Sequence, residues 1–340
     1  VFADLVEQMT PSFEHVAQEM YGLEGVHVTR TSAPFVPAER TLIQNSRDRG
    51  LAHTGWVSQM LFNHYEYMQD KEWLRNRAYP FLKKAAEFYA NYMDKYQKPN
   101  GDIYASMRFE DHTRSSSGFD ADWTDNTNVA VDLIMFRKAF NAAITASEAL
   151  DVDTDLRQRW IANLAKVPEI EYGYREGKAW YAISKGWDIK WPDIDEYLDH
   201  VRLSRWGSQG WPVFPGELLD GDEETGLSPI LREVMAPLDL DNLNTGVVVN
   251  FGIMHGEATV PPFIRMGMIE KFPSIRKIIE THQFPSGLLT PYKRAEGLYP
   301  NINQGPPSSW RIHENAYFAS LMTVEMMLQS QSAISVSYTH

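Results

Sequence analysis

Cysteine is absent from the 340 residues, which excludes disulfides, thiolate metal sites and cysteine nucleophiles together while leaving the redox compartment open. Long apolar runs are missing too. No stretch approaches the roughly 18 consecutive apolar residues of a membrane-spanning helix, so no membrane insertion is expected. Basic residues are few: 32 Lys and Arg face 45 Asp and Glu, a formal charge of -13. That balance disfavours a nucleic-acid partner held by phosphate neutralisation and suits neutral or cationic ligands. There is no GxSxG elbow, no GxxxxGK[ST] phosphate loop and no HExxH zinc helix. The run Asp120, Asp122, Asp125 starts like a calcium loop. It has Asp125 where the sixth-position glycine belongs and Val131 where the twelfth-position glutamate belongs. No metal site and no cofactor is expected.

What is present is an ordinary globular composition, 43% hydrophobic and 23% charged, long enough for one large domain or two smaller ones. Helical periodicity recurs, and the helices alternate with connections longer than the few residues usual in compact domains. The opening residues run as a helix with Phe2, Leu5, Met9 and Phe13 on one face. Residues 53 to 69 and Tyr79 to Tyr96 form a helical hairpin, with Pro80 in a first turn where its missing N–H costs nothing. A polar loop covers 97 to 125. From near Asn126 a long helix places Val129, Leu133, Phe136, Phe140 and Ala143 at offsets 0, 4, 7, 11 and 14. Further helices are expected at about 153 to 166, 227 to 236, 242 to 256, 258 to 271, 273 to 282 and 314 to 330. The apolar run Val247 to Ile253 reads more easily between helices than as a strand. The fold class is all-α, and antiparallel helices joined alternately by short and long connections can close into a toroid with the long loops at one mouth.

Residues 168 to 217 read as a loop-rich segment holding five of the ten tryptophans: Trp180, Trp187, Trp191, Trp206 and Trp211. A loop has little core to fill, so aromatic faces there suit stacking against the apolar face of a sugar. Glycoside hydrolysis also needs two carboxyl groups flanking the scissile bond. Candidates in loops or at helix starts are Glu110, Asp111, Asp122, Asp125, Glu176, Asp188, Glu217 and Glu314. Any one of them is by default a solvated charge or a helix cap, and Asp125, after Thr124, can cap as well as bind sugar. His200 and Arg205 can contact hydroxyls or serve as structural hydrogen-bonding groups.

Family likeness narrows these options. Residues 53 to 93, HTGWVSQMLFNHYEYMQDKEWLRNRAYPFLKKAAEFYANYM, resemble the second hairpin of the catalytic domain of glycoside hydrolase family 95, which includes α-L-fucosidases and α-L-galactosidases. WTDNTNVAVDLIMFRKAF, the DHV at 199 to 201, VFPGE at 213 to 217 and IHENAYFASLMTVEMMLQS at 312 to 330 follow in the same order. The resemblance implies an (α/α)6 barrel and an inverting exo-acting glycosidase. The family's general acid sits in a Ser-Pro-Glu-Asn motif after the second hairpin. Here Glu110 in NGDIYASMRFEDHTR is the counterpart, with Asp111 one position away, and the motif itself is not reproduced. Counting back from the EMMLQS tail places Glu314 where the family has its general base, an aspartate. Asp125, His200, Trp180, Trp187, Trp206, Trp211 and Glu217 are the candidate substrate-binding residues.

By the same resemblance the chain starts after the barrel's first helix and lacks an upstream β-domain and the paired asparagines that help polarise the attacking water. Residues 1 to 335 are then one catalytic domain. Val336 to His340 reads as a translated sequencing adapter. The implied partner is an oligosaccharide or polysaccharide, and the implied location is extracytoplasmic, periplasmic or secreted. Two other readings stand beside this one. A polysaccharide lyase on a similar toroid would pair a Tyr or His base with an Arg or Asn for the uronate, which an acidic chain suits poorly. A catalytically degenerate sugar-binding barrel would need neither carboxyl.

Overall fold

The computed structural model of the protein describes residues 1–29, 50–104, 127–185, 193–202, 210–214, 216–218, 227–237 and 256–276. These are mostly helical, with one two-stranded sheet. They fall into two compact units. The first holds the described residues up to Glu171 together with Ser184 and Lys185; the second holds Tyr172–Ile183 and those from Asp193 onward. No described helix is long and apolar enough to cross a membrane.

The first unit contains α1 (Phe2–Tyr21), α2 (Ala52–Met68), α3 (Lys71–Trp73), α4 (Tyr79–Tyr96), α5 (Ala130–Leu150) and α6 (Thr154–Leu164). In α1 the buried stripe is Val6, Met9, Phe13, Val16, Ala17 and Tyr21, whereas Phe2 and Leu5 are about two-fifths exposed. The expected face is therefore correct only from Met9 onward. The first turn is held instead by Asp4 and Glu7, which pair with Arg77.

The helix expected to begin at Tyr79 is already under way at Lys71. Asp70 starts it, accepting from the N–H groups of Glu72 at 2.9 Å and Trp73 at 3.0 Å. A π-helical turn, Leu74–Ala78, then joins α3 to α4, and the Tyr79 N–H reaches the Leu74 carbonyl. That widened turn makes room for Pro80, whose ring would otherwise meet the carbonyl four residues earlier. The long helix α5 buries Val129, Leu133, Phe136, Phe140 and Ala143 at 2% exposure or less, as its spacing requires. It starts at Ala130 rather than Asn126 because Asn128 takes a left-handed φ of 53° and Val129 is extended.

Burial is densest where α2, α4 and α5 meet. Tyr89 stacks on Phe136 with ring centroids 4.0 Å apart, a contact worth about 0.5–1.5 kcal/mol beyond its area. Gly55 lets α2 and α5 touch: a Cβ there would lie 2.4 Å from the Met135 carbonyl oxygen and 2.5 Å from the Met135 Cβ. Gly25 is a second such position, with φ 108° and the Lys84 carbonyl 2.5 Å from where its Cβ would be.

The close pairing brings the N-termini of α2 and α5 side by side, where orphan N–H groups need acceptors. The Ala52 N–H donates to the buried Asp132 carboxyl, and the Gly55 N–H donates to the Tyr89 hydroxyl at 2.8 Å. That hydroxyl donates in turn to the Leu51 carbonyl at 2.5 Å. At the opposite end, short connections join α2 to α3 and α5 to α6. There Tyr79 donates to Asp153 at 2.7 Å and Arg75 to the Leu150 carbonyl at 3.2 Å. Long and short connections thus leave the first unit from opposite ends.

The second unit opens with a hairpin, β1 (Tyr172–Arg175) and β2 (Lys178–Tyr181), antiparallel with Tyr172 opposite Tyr181. This segment was expected to be loop. The Glu176-Gly177 turn between the strands has φ values of 52° and 77°, the pattern of a two-residue hairpin turn whose twist matches the strands. Helix α7 (Ile194–Arg202) follows, capped by Asp193 through the N–H groups of Asp195 at 2.8 Å and Glu196 at 3.1 Å. The Tyr197 hydroxyl donates to the Tyr181 carbonyl at 2.6 Å and ties α7 to the hairpin.

Helix α8 (Leu227–Met235) buries Leu227, Ile230, Leu231, Val234 and Met235. The helix expected over 258 to 271 is divided. Helix α9 is Gly256–Arg265, and after Gly267, at φ 62°, a 3-10 turn covers Ile269–Lys271. Residues 272–276 are helical. The helices expected at 242 to 256 and 314 to 330, the rest of 273 to 282, and the run Val247 to Ile253 lie outside the described residues.

Two predictions follow from the α2–α5 contact. Gly55→Ala forces the helices apart and should cost about 1–3 kcal/mol, read as a lower urea midpoint with an unchanged m-value. Asp132 is 5% exposed, and burial raises its pKa from 3.8 to about 7, against the Ala52 N–H that lowers it. Between these two values the folded chain keeps a proton that the unfolded chain has released. Stability therefore falls as pH rises through that window, by up to about 1.4 kcal/mol per unit. Asp132→Asn, which keeps an acceptor for Ala52, should flatten that slope in urea titrations between pH 4 and 8.

Candidate active site

Glu110 and Asp111 belong to the stretch of chain between the described residues 104 and 127. Its two ends are fixed side by side. Tyr104 and Thr127 form an isolated antiparallel bridge, and a second bridge joins Gln97 to Ile103. Asn128 grips Ile103 twice: its N–H donates to the Ile103 carbonyl, and its Oδ1 accepts from the Ile103 N–H, each at 2.9 Å. The left-handed backbone of Asn128 makes this double contact possible, and asparagine is among the few residues that tolerate it. On the other strand of the neck, the Tyr92 hydroxyl donates to the Tyr104 carbonyl at 3.0 Å, and the Lys98 ammonium lies 4.3 Å from the Tyr104 ring centre.

Asp102 is the hub of this neck. Its carboxylate accepts from Asn128 Nδ2 at 2.8 Å, from Asn100 Nδ2 at 2.9 Å, and from Lys185 Nζ at 3.0 and 3.1 Å. Desolvation pushes its pKa up, but the hydrogen bonds from Lys185, Asn128 and Asn100 outweigh it and hold the carboxyl below its usual range. Lys185 also donates its backbone N–H to the Thr127 carbonyl at 3.0 Å. In sequence it stands two positions before Trp187.

The other acidic and aromatic candidates within the described residues belong to the second unit. The Glu217 carboxylate lies 3.4 Å from the Arg265 guanidinium, which sits 4.9 Å from the Phe214 ring centre. Glu217 has a left-handed φ of 50°, and its N–H donates to the Val213 carbonyl at the end of a tight turn. Trp211, in the same turn, is buried. Trp180 is half-buried and meets Tyr197 edge-on at 6.3 Å. His200 is placed by its backbone alone, on α7. Glu110, Asp111, Asp125, Trp187, Trp206 and Glu314 lie outside the described residues, as do Arg205 and Asp188. No group of three or more His, Asp or Glu able to hold a metal occurs among the described residues.

Sequence reasoning passed over Asp102, Asn128, Lys185 and Asp132. A signal existed for two of them. Asp102 ends the turn sequence Pro-Asn-Gly-Asp, where a short polar side chain folds back on nearby backbone. Asp132 is a lone acid inside Val-Ala-Val-Asp-Leu-Ile-Met-Phe, a pattern that a solvated charge does not produce. Nothing local marks Lys185, because its partner is 83 positions away.

Comparison with known protein families matches residues 1–216 to the model of the glycosyl hydrolase family 95 catalytic domain. No curated protein matches the chain. The match covers well over half of the chain, including the whole first unit, the hairpin, α7 and the turn through Gly216, so the chain belongs to glycosyl hydrolase family 95 and is a glycoside hydrolase.

Proposed function

We propose that this glycoside hydrolase is an inverting, exo-acting enzyme that releases α-linked L-fucose or L-galactose from oligosaccharides or polysaccharides. Glu110 or its neighbour Asp111 is the general acid, Glu314 is the general base, and the helices close into an (α/α)6 toroid around one pocket. The observation that supports this reading best is the family match itself. It spans Glu110, Asp111, Asp125, His200 and the tryptophans 180, 187, 206 and 211. Glu217 and Glu314 fall beyond it, and Glu314 rests on its place ahead of the Glu325 to Ser330 tail. The neck at 102 to 104 and 127 to 128 fits a loop that must present a side chain reproducibly.

The chemistry asks opposite things of the two carboxyls. The acid must hold a proton near neutral pH, which burial or a neighbouring negative charge achieves, and Asp111 supplies such a neighbour to Glu110 in sequence. The base must stay ionised and hold a water on the opposite face of the ring, with the two groups roughly 6.5–9.5 Å apart. Asp125, His200, Glu217 and the tryptophans then bind the sugar. Residues 1 to 335 form the catalytic domain, an upstream β-domain accompanies it in the full chain, and the polymeric substrate places the enzyme outside the cytoplasm.

Glu110→Gln should lower kcat by about 10²- to 10⁴-fold on aryl α-L-fucosides or α-L-galactosides with KM nearly unchanged. NMR of the wild-type reaction should show the β-anomer as first product. Turnover at the wild-type rate in both Glu110→Gln and Asp111→Asn would remove the acid assignment, and an α-anomeric first product would remove inversion.

A further inference from the structure

The Asp102 cluster joins two parts of the chain that candidate substrate contacts occupy. One is the 105–126 connection, with Glu110, Asp111 and Asp125. The other begins just after Lys185 and carries Trp187. Ordinary structural demand does not account for its composition. The backbone bridges at Gln97–Ile103 and Tyr104–Thr127, and the Lys185 N–H to Thr127 contact, already close the neck without any charged group. The Lys185 ammonium instead meets both oxygens of a carboxylate whose side chain is only 11% exposed. Asn128 supplies the third side of the cluster, from a backbone conformation that costs energy for any residue but glycine.

The three side chains also hold the neck in a way that backbone bridges alone do not. Asn128 locks Ile103 from both its donor and its acceptor, and Asp102 fixes the Asn128 amide through Nδ2. Lys185 then fixes the direction in which the Asp102 carboxylate points. Its stem remains substantially exposed, at 43% of the side chain, so its loss empties little core. A side chain 43% exposed, joined to a carboxylate 83 positions away, is suited to setting geometry rather than to holding the unit together.

We propose that Lys185, acting through Asp102 and Asn128, is a positioning residue for the glycosidase reaction: it sets the two ends of the connection that carries the general acid. This rests on the functional reading above. In this role Lys185 acts through Asp102 and not on the substrate. Misplacing an acid by about an ångström can cost on the order of 10²-fold in rate, and the loss appears only where the leaving group needs its proton.

The test is a leaving-group comparison on the full chain, using 2,4-dinitrophenyl and phenyl α-L-fucosides. Lys185→Met should lower kcat on the phenyl glycoside by about 10- to 100-fold. On the dinitrophenyl glycoside, whose phenolate leaves without protonation, it should change kcat by less than about threefold. KM should stay nearly constant and Lys185→Arg should restore the phenyl activity. Asn128→Gly, which keeps the left-handed backbone but deletes the amide bridge, should show the same dependence. Amide exchange provides a readout that needs no turnover: in Lys185→Met, protection should fall at residues 102–104 and 127–128 while α4 and α5 keep theirs.

Equal losses on both substrates, no loss on either, or unchanged exchange at the neck would each overturn the proposal. The acid assignment stands or falls separately. If Lys185→Met shows the leaving-group dependence while Glu110→Gln and Asp111→Asn do not, the positioning role holds and the acid is another residue. If the carboxamide variants show it and Lys185→Met does not, the positioning role is wrong.

Discussion

The constraint on which the first unit depends is the absence of a side chain at Gly55. It lets α2 approach the Met135 backbone of α5 to contact distance, and the two helix N-termini then lie together. Four N–H groups at each helix start need acceptors, and such a buried junction cannot be satisfied by solvent. Asp132 and Tyr89 supply the acceptors from neighbouring helices. The geometry follows from that one contact. The short connections gather at the end marked by Tyr79 and Asp153, and the long ones leave from the other. Helix packing alone provides that arrangement.

Within that frame, polar and apolar groups divide the labour by what each can specify. The core of Phe88, Tyr89, Phe136, Phe140 and Trp160, each essentially solvent-free, supplies most of the stabilisation, since burying one such side chain is worth roughly 1.5–3 kcal/mol. Apolar contacts are tolerant of small displacements. The neck at Asp102 is different, because a carboxylate with four hydrogen-bond contacts of 2.8 to 3.1 Å accepts few alternative arrangements. An exposed ammonium at one corner adds little stability. It adds direction, by fixing how the Asp102 carboxylate faces Asn128.

The sequence revealed those parts of the fold that periodicity encodes. The stripe from Val129 to Ala143 identified the buried face of α5, and the hairpin of α2 and α4 was legible from its apolar spacing. Errors arose where a single residue overrides the period. Asn128 delays α5 by its left-handed backbone, Asp70 starts the third helix early, and Gly267 divides the helix expected over 258 to 271. The hairpin at Tyr172–Tyr181 was hidden because its strands are four residues each, too short for an alternation to stand out. Of the candidate site, the family could be read. The neck could not, since Asp102, Asn128 and Lys185 meet only after the helices have packed.

The acidic residues show why a sequence can nominate carboxyls without ranking them. Asp102, Asp132 and Glu217 carry the same functional group in three different surroundings. Asp102 is held ionised by an ammonium and two amides. Asp132, with one backbone N–H and no cation, is driven towards neutrality by burial alone. Glu217 is half-exposed beside Arg265. Desolvation acts on both aspartates in the same direction, and the number of donors that oppose it decides the outcome. For Asp102 three donors win; for Asp132 one does not. A protonated carboxyl in this family is therefore no evidence of catalysis by itself. Asp132 gains its raised pKa as a helix-capping group inside the core, and a general acid must reach the same protonation state beside a substrate, where solvent lowers the cost of charge. There a second negative charge close by can do what burial does for Asp132.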